Sequence, residues 1–149
     1  KIALDEDRFN NTAFNNLLGL SREDGRIRNY LIEKYRNSFD EYAHFERYKV
    51  YSALGLIYLY GGRNEKALWY LQKAVRINPY DSTINKGLAV SYANSQDYDK
   101  AVAYFKRVIK LHPFDKEAYK NLSLLYSQLH RDKEATALLE KADTMNMYQ

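Results

Sequence analysis

The fold is decided by residues 82–115, which read STINKGLAVSYANSQDYDKAVAYFKRVIKLHPFD. Three apolar positions of this stretch recur 34 residues earlier and 34 residues later in the 149-residue chain. The recurring sets are Leu54, Leu88 and Leu122; Tyr58, Tyr92 and Tyr126; and Ala67, Ala101 and Ala135. A fixed period of this length is typical of a solenoid in which each unit is a pair of helices. The sequence therefore predicts an all-α fold of stacked repeats.

Small and large side chains are placed as two closely packed helices require. Small residues stand at Gly55, Ala67, Ala89, Ala101, Ser123 and Ala135, where they let the helices of a unit approach each other. Large residues that fill the remaining space are Tyr58, Leu71, Tyr92, Phe105, Tyr126 and Leu139. Pro79 and Pro113 cannot continue a helix and end the second helix of their units. We predict helices over 39–60, 65–77, 82–94, 98–111, 116–129 and 132–145.

These positions together resemble the tetratricopeptide repeat (TPR), whose pattern combines an aromatic residue, Leu-Gly, Tyr, Ala, Phe, Ala and Pro. The first unit supplies Tyr51, Leu54, Gly55, Tyr58, Ala67, Leu71, Ala74 and Pro79. The second supplies Leu88, Ala89, Tyr92, Ala101, Phe105, Val108 and Pro113, and the third supplies Tyr119, Leu122, Ser123, Tyr126, Ala135, Leu139 and Ala142. The resemblance implies a right-handed α-solenoid with repeats at 48–81, 82–115 and 116–149, forming one domain.

Residues 1–47 do not follow the 34-residue period and are expected to form an atypical helical pair that caps the first repeat. Two apolar stripes indicate helices, namely Phe9, Ala13, Phe14, Leu17 and Leu18, and then Ile27, Tyr30, Leu31 and Tyr35. The patterns Ser21-x-x-Asp24 and Ser38-x-x-Glu41 resemble capping boxes. The second predicts one long helix over 39–60, whose extension packs Phe39, Tyr42 and Phe45 against the helix over 27–35.

Composition and charge argue against several classes of protein. The formal net charge is +4 and there is no cysteine, so disulfides, thiolate metal sites and cysteine nucleophiles are excluded. Much of the basic excess lies late in the second helices, at Lys73, Arg76, Lys106, Arg107 and Lys110. Cations there complement the negative helix terminus, which favours helix stabilisation over a nucleic-acid surface. Apolar runs are too short to span a bilayer, so no membrane insertion is expected of this segment.

Catalysis needs titratable groups that converge, and the candidates do not. His44, His112 and His130 lie in three different elements, without the spacing that would gather a metal ion. The two turn histidines, His112 and His130, are expected to be solvated. We therefore predict that the chain is not an enzyme and holds no metal and no cofactor.

The TPR resemblance implies a protein or peptide partner in the concave groove that the first helices line. The predicted groove residues are Lys49, Ser52, Leu56, Leu59, Tyr60, Thr83, Lys86, Val90, Asn94, Glu117, Lys120, Leu124 and Gln128. An apolar stripe flanked by lysines suits a segment with apolar anchors and some acidic charge. A subclass of the family clamps a terminal carboxylate, and Lys86 and Asn121 match two positions of that clamp. Val90 replaces an asparagine of the clamp, so ordinary groove lining is favoured.

Two alternatives to a partner-binding scaffold remain open. The last repeat lacks an extra solvating helix, so its exposed end and the leader helix could assemble a homo-oligomer. Met145, Met147 and Tyr148 could instead fold over that end. The chain could also be a soluble regulatory domain, excised from a larger or membrane-anchored protein.

Overall fold

The computed structural model describes residues 12–145, with side chains from Asn15 onward, and all regular structure in that part of the chain is helical. The α-helices in this range are α1 (Thr12–Leu20), α2 (Gly25–Asn37), α3 (Arg47–Tyr60), α4 (Asn64–Ile77), α5 (Ser82–Asn94), α6 (Tyr98–Leu111), α7 (Lys116–Gln128) and α8 (Asp132–Thr144). The chain divides into two compact units, Lys1–Pro79 with α1 to α4 and Tyr80–Gln149 with α5 to α8. The predicted all-α helical repeat fold is confirmed.

Helices α3 and α4, α5 and α6, and α7 and α8 pack as pairs joined by three-residue turns. The middle residue of each turn has a positive φ, which is 72° at Gly62, 61° at Gln96 and 57° at His130. The residue after it donates its N–H to the tyrosine carbonyl five positions earlier, from Arg63 to Tyr58, from Asp97 to Tyr92 and from Arg131 to Tyr126. This is a Schellman ending, and it occurs at the same place in every pair.

The helices of the repeats follow the sequence prediction to within one residue from α4 to α8. Close approach at the small residues is also confirmed. A Cβ on Gly55 would lie 2.5 Å from the Leu71 side chain, so only glycine fits there. In the last pair, the Ser123 hydroxyl donates a hydrogen bond of 2.8 Å to the Ala135 carbonyl of the facing helix.

Leu139 does not fill a core position, and that part of the prediction is wrong. Its equivalents Leu71 and Phe105 are 0% and 3% exposed, whereas Leu139 is 43% exposed. Helix α6 packs against both α5 and α7, whereas α8 packs against α7 within the described residues. The side of α8 that would face a further helix is therefore open in this part of the chain.

The predicted long helix over 39–60 is wrong. Helix α3 begins at Arg47, and two short 3-10 turns, Phe39–Glu41 and His44–Glu46, precede it. Between them Tyr42 has extended backbone, with φ −102° and ψ 138°, and its side chain is buried. Burial of this ring in the core stabilises the break more than local propensity stabilises a continuous helix.

The capping patterns of the leader also act differently from the prediction. The Ser38 hydroxyl donates back to the Tyr35 carbonyl at 3.0 Å instead of capping a new helix. Ser21 likewise donates to the Leu18 carbonyl, and Asp24 is the residue that caps α2, by accepting from the Arg26 N–H. Ser21 and Ser38 therefore hydrogen-bond back to the last turns of α1 and α2, and of the three only Asp24 caps the start of a helix, α2.

The leader packs on the first repeat through one buried cluster. Leu18, Leu31, Tyr35 and Tyr42 share this core with Val50, Ala53, Leu54 and Ile57 of α3. The Phe39 ring packs edge-on against Tyr51, with centroids 5.2 Å apart. Phe45 is 72% exposed, so its predicted packing is wrong. The predicted contributions of the Phe9, Ala13, Phe14, Met147 and Tyr148 side chains lie outside the described residues.

Candidate functional site

Helix α5 presents four of the predicted groove residues on one face. Thr83, Lys86, Val90 and Asn94 follow one another at spacings of three, four and four residues, which places them along one side of a helix. Thr83 and Asn94 are exposed, and Lys86 and Val90 are half-buried. The buried residues of α5, such as Ile84 and Leu88, occupy the remaining sides. None of these four side chains is fully buried, so this face of α5 lies outside the core.

Helix α7 repeats the arrangement 34 residues later, within the same unit. Its predicted residues Glu117, Lys120, Leu124 and Gln128 are all exposed. Leu124 is 61% exposed, although Leu122 and Leu125 beside it are buried. Each helix thus offers a lysine, then an aliphatic side chain, then an amide, at matching positions. We call Val90, Asn94, Leu124 and Gln128, with Lys86 and Lys120, the α5–α7 surface.

Lys86 connects the two helices of this surface. Its Nζ lies 3.1 Å from Asp115 Oδ2 and 3.3 Å from Glu117 Oε2. Asp115 is also the N-cap of α7, because its carboxylate accepts the Ala118 N–H at 3.1 Å. The lysine therefore ties the middle of α5 to the first turn of α7.

Electrostatics strengthen this link. Burial alone disfavours the charged form of Lys86, but its hydrogen bond to Asp115 and the charges of Asp115 and Glu117 raise its pKa above the ordinary value. Burial likewise acts to raise the pKa of Asp115, yet the hydrogen bonds from the Ala118 N–H and from Lys86 outweigh it and lower that pKa. Both groups are held in their charged forms at neutral pH.

The five predicted residues of the first unit lie on α3, and their surroundings differ. Lys49 pairs with Glu46 at 3.5 Å, and Leu56 packs against the buried core cluster of the leader and α3. The guanidinium of Arg22 lies over the Tyr60 ring, 5.6 Å from its centroid. Ser52 and Leu59 are half-buried. Intramolecular contacts therefore occupy more of this set than of the α5–α7 surface.

Sequence reasoning missed Asp115 and Arg22 as neighbours of the predicted residues. A signal for Asp115 exists, since Asp81 and Asp115 both stand two residues after a proline and both cap the next helix. A capping carboxylate at a fixed place in each unit predicts an acidic group at the start of each first helix. No comparable pattern indicates Arg22.

The described residues show no gathering of catalytic groups. His44, His112 and His130 are exposed, as predicted for the two turn histidines. In residues 12–145 no three His, Cys, Asp or Glu side chains are placed to hold a metal ion. No helix among the described residues has the length and apolar character needed to cross a membrane.

Comparison with known proteins supports the repeat assignment. Residues 58–123 match the tetratricopeptide repeat family, whereas a comparison with curated proteins returned no match. A crystal structure of MamA superposes with a TM-score of 0.74 and 22% identity, over 91% of this chain and 79% of MamA. YrrB, described as a TPR protein with an unusual peptide-binding site, gives 0.63 and 25% identity over 76% of this chain and 61% of its own.

A third similar structure is the APC/C hetero-tetramer Cut9-Hcn1, with a TM-score of 0.73 and 23% identity. The match covers 86% of this chain but 23% of that one. The family match spans the whole of 82–115 and parts of both neighbouring repeats, and similar solved structures share the helical pairs. Residues 58–123 therefore match the tetratricopeptide repeat family, and the resemblance seen in the sequence is confirmed.

Proposed function

We propose that the chain is a noncatalytic scaffold that binds a peptide or a segment of another protein on the groove side of its first helices. The TPR is a scaffold for protein–protein interaction, and YrrB, which is similar to this chain, is described as having a peptide-binding site. Within the Tyr80–Gln149 unit, the proposed contact surface is the α5–α7 surface. The predicted α3 residues belong to the other unit and stay a separate prediction, namely Lys49, Ser52, Leu56, Leu59 and Tyr60.

One observation carries this proposal. At the same position of two successive first helices, the chain places an aliphatic side chain that is not fully buried, Val90 half-buried and Leu124 61% exposed. An isolated exposed leucine is common on protein surfaces. An accessible aliphatic side chain that recurs at this position, each time followed one turn later by an amide, supplies the apolar anchors and hydrogen-bonding groups that peptide recognition requires.

A selection experiment tests the proposal. A random library of roughly 12-residue peptides displayed on phage is selected against the wild-type chain, and the enriched peptides are synthesised. We expect Leu124→Glu to weaken their binding at least tenfold, about 1.4 kcal/mol, because a carboxylate replaces the apolar anchor. Leu139→Glu is the matched control, since it adds the same charge at a half-exposed leucine on α8, and its affinity should stay within about twofold of the wild type.

Enriched peptides that bind Leu124→Glu as tightly as the wild type would contradict the proposed surface. Helical content by circular dichroism should be unchanged in both variants, because both leucines are exposed. This check separates loss of the surface from loss of the fold.

Self-association is the second candidate, and the 43% exposure of Leu139 favours it. A second copy that covered the open side of α8 would bury this leucine, as α7 and α5 bury its equivalent on α6. Sedimentation velocity between about 1 and 100 μM would then show a concentration-dependent dimer that Leu139→Glu abolishes. A monomer over that whole range would contradict this candidate.

A further inference from the structure

We infer that Lys86 is a positioning residue held by Asp115 and Glu117, and that the α5–α7 surface therefore takes an uncharged segment anchored by an apolar side chain. This rests on the proposed function and narrows the chemistry of the partner. It keeps the apolar anchors of the sequence expectation and replaces the part of that expectation that gave the partner some acidic charge opposite Lys86.

The first argument is the geometry of Lys86. Two carboxylates lie within 3.3 Å of its ammonium, and its side chain is 30% exposed. Asp115 is 16% exposed and caps α7 at the same time, so it cannot move away without giving up that cap. A carboxylate from a partner would have to displace groups that are already positioned. Removing one partner from a desolvated pair leaves the other charge unpaired, which is unfavourable.

The second argument is the balance of charge. Lys86 lies between the carboxylates of Asp115 and Glu117, and Lys120 on the same helix as Glu117 brings the number of positive charges to two as well, so the formal charges of these four residues sum to zero. Residues 80–149 contain ten Lys and Arg and nine Asp and Glu, so the unit as a whole attracts acidic segments only weakly. Lys120 is exposed and forms no salt bridge within residues 12–145. An ion pair between a partner and such an exposed lysine is screened by water and salt, so it does not select a partner.

The third argument concerns the remaining groups. Val90 and Leu124 are uncharged, and Asn94 and Gln128 follow them by four residues on the same faces. A side-chain amide both donates and accepts hydrogen bonds, so it can pair with the backbone of an extended segment whatever that segment's side chains are. Selection then falls on an apolar side chain that packs on Val90 or Leu124.

The peptides obtained from the library test this inference through their composition. We expect the enriched peptides to have a net charge near zero and to share one aliphatic or aromatic position. In a synthetic peptide from the set, exchanging two polar residues for glutamate should change the Kd by less than about threefold at 50 mM NaCl. Raising NaCl from about 50 to 300 mM should likewise change the Kd of the parent peptide by less than about threefold.

Variants of Lys86 complete the test. We expect Lys86→Met to lower the thermal midpoint, Lys86→Arg to restore most of it, and neither to alter the salt dependence of peptide binding. Lys133→Met is the control, since this exposed lysine on α8 lies outside the surface, and it should leave both affinity and midpoint within error of the wild type. A salt dependence that disappears in Lys86→Met would identify Lys86 as a partner contact and overturn the inference.

The two proposals fail in distinguishable ways. Enriched peptides that depend on Leu124 but are rich in Asp and Glu would overturn the uncharged partner and leave the scaffold function standing. A library that yields no peptide dependent on Leu124 would overturn both.

Discussion

At the scale of single residues, the middle position of each helix-pair turn demands a left-handed backbone, but the chain supplies glycine in only one of three turns. Gln96 and His130 adopt φ of 61° and 57° where Gly62 has 72°. A non-glycine residue in this region costs roughly 1 kcal/mol because its Cβ approaches the carbonyl oxygen. The chain retains the turn because the Schellman hydrogen bonds and the helix packing specify it.

We therefore expect His130→Gly and Gln96→Gly each to raise the free energy of unfolding by about 1 kcal/mol, measured by urea denaturation. His130→Ala is the control, since alanine removes the imidazole and keeps the Cβ. An equal gain from alanine and glycine would show that the imidazole, and not the backbone, limits stability.

The Lys86 link predicts a second single-residue effect, on the pH dependence of stability. The pKa of Asp115 is lower in the folded chain than its ordinary value of 3.8. The unfolded chain therefore binds the proton first as pH falls, so this stabilisation is complete above about pH 5 and is lost as pH drops through the folded pKa. Asp115→Asn keeps an N-cap acceptor but removes the charge, and it should lower stability at pH 7 by roughly 0.5 to 1 kcal/mol.

The difference between wild type and Asp115→Asn should shrink towards pH 2, which thermal denaturation across pH would measure. Asp132→Asn is the matched control, because Asp132 is exposed and forms no salt bridge in the described residues. A wild-type advantage that persists unchanged at pH 2 would rule out the charge as its source.

At the scale of elements, the docking of the leader on α3 depends on a glycine at the end of that helix. Gly61 has φ −79°, which any residue can adopt. Glycine is needed at this position because it has no Cβ, and not because its backbone is freer. A Cβ there would lie 2.6 Å from Arg28 Cδ, and Arg28 Nη1 donates to the Ser21 carbonyl at 3.0 Å. Gly61 thus leaves room for the arginine that joins the α1–α2 turn to α3.

We expect Gly61→Ala to lower the free energy of unfolding by roughly 1 kcal/mol, because Arg28 must move and its hydrogen bond weakens. In the Arg28→Ala background the same change should have little effect, and the two variants together measure the coupling. Gly19→Ala on α1 meets no atom within 4 Å and should instead stabilise its helix by up to about 1 kcal/mol. Additive effects of Gly61→Ala and Arg28→Ala would contradict this contact.

The elements also show what sequence reasoning can reach. Helices α4 to α8 were predictable within a residue because a fixed period aligns three copies of the same local pattern. The break at Tyr42 was not, because a buried ring and not a local breaker residue causes it. The proline spacing indicates a capping carboxylate at Asp115, but the pairing of Lys86 with Asp115 and Glu117 could not be predicted, since these residues lie 29 and 31 positions along the chain. The spacing of the predicted groove residues indicates which helical face they share, but whether their side chains are already paired depends on such distant contacts.

At the scale of the whole molecule, burial of apolar residues supports the fold more than ion pairs do. Several ion pairs of the described residues join side chains a few positions apart on the surface, such as Lys100 with Asp97 and Arg26 with Asp24. Pairs of this kind contribute little to stability, because water and salt screen them. We expect the thermal midpoint to change by no more than about 3 °C between 50 and 500 mM NaCl.

Differential scanning calorimetry at both salt concentrations measures that shift. The thermal midpoint of Lys86→Met should shift less with salt than that of the wild type, because this variant lacks the half-buried ion pair with Asp115. A large fall in the midpoint at high salt would mean that surface charges carry much more of the stability than their geometry indicates.

The bridge from Lys86 to Asp115 has a consequence for how such a chain can grow. Both residues lie inside the stretch 82–115. A gene duplication of that stretch would therefore copy together Lys86, the aspartate that pairs with it, and the segment of chain between them. Each new copy would arrive with its own internal brace and its own anchor at Val90. Lengthening by whole copies would therefore multiply recognition positions without requiring any compensating substitution at this brace.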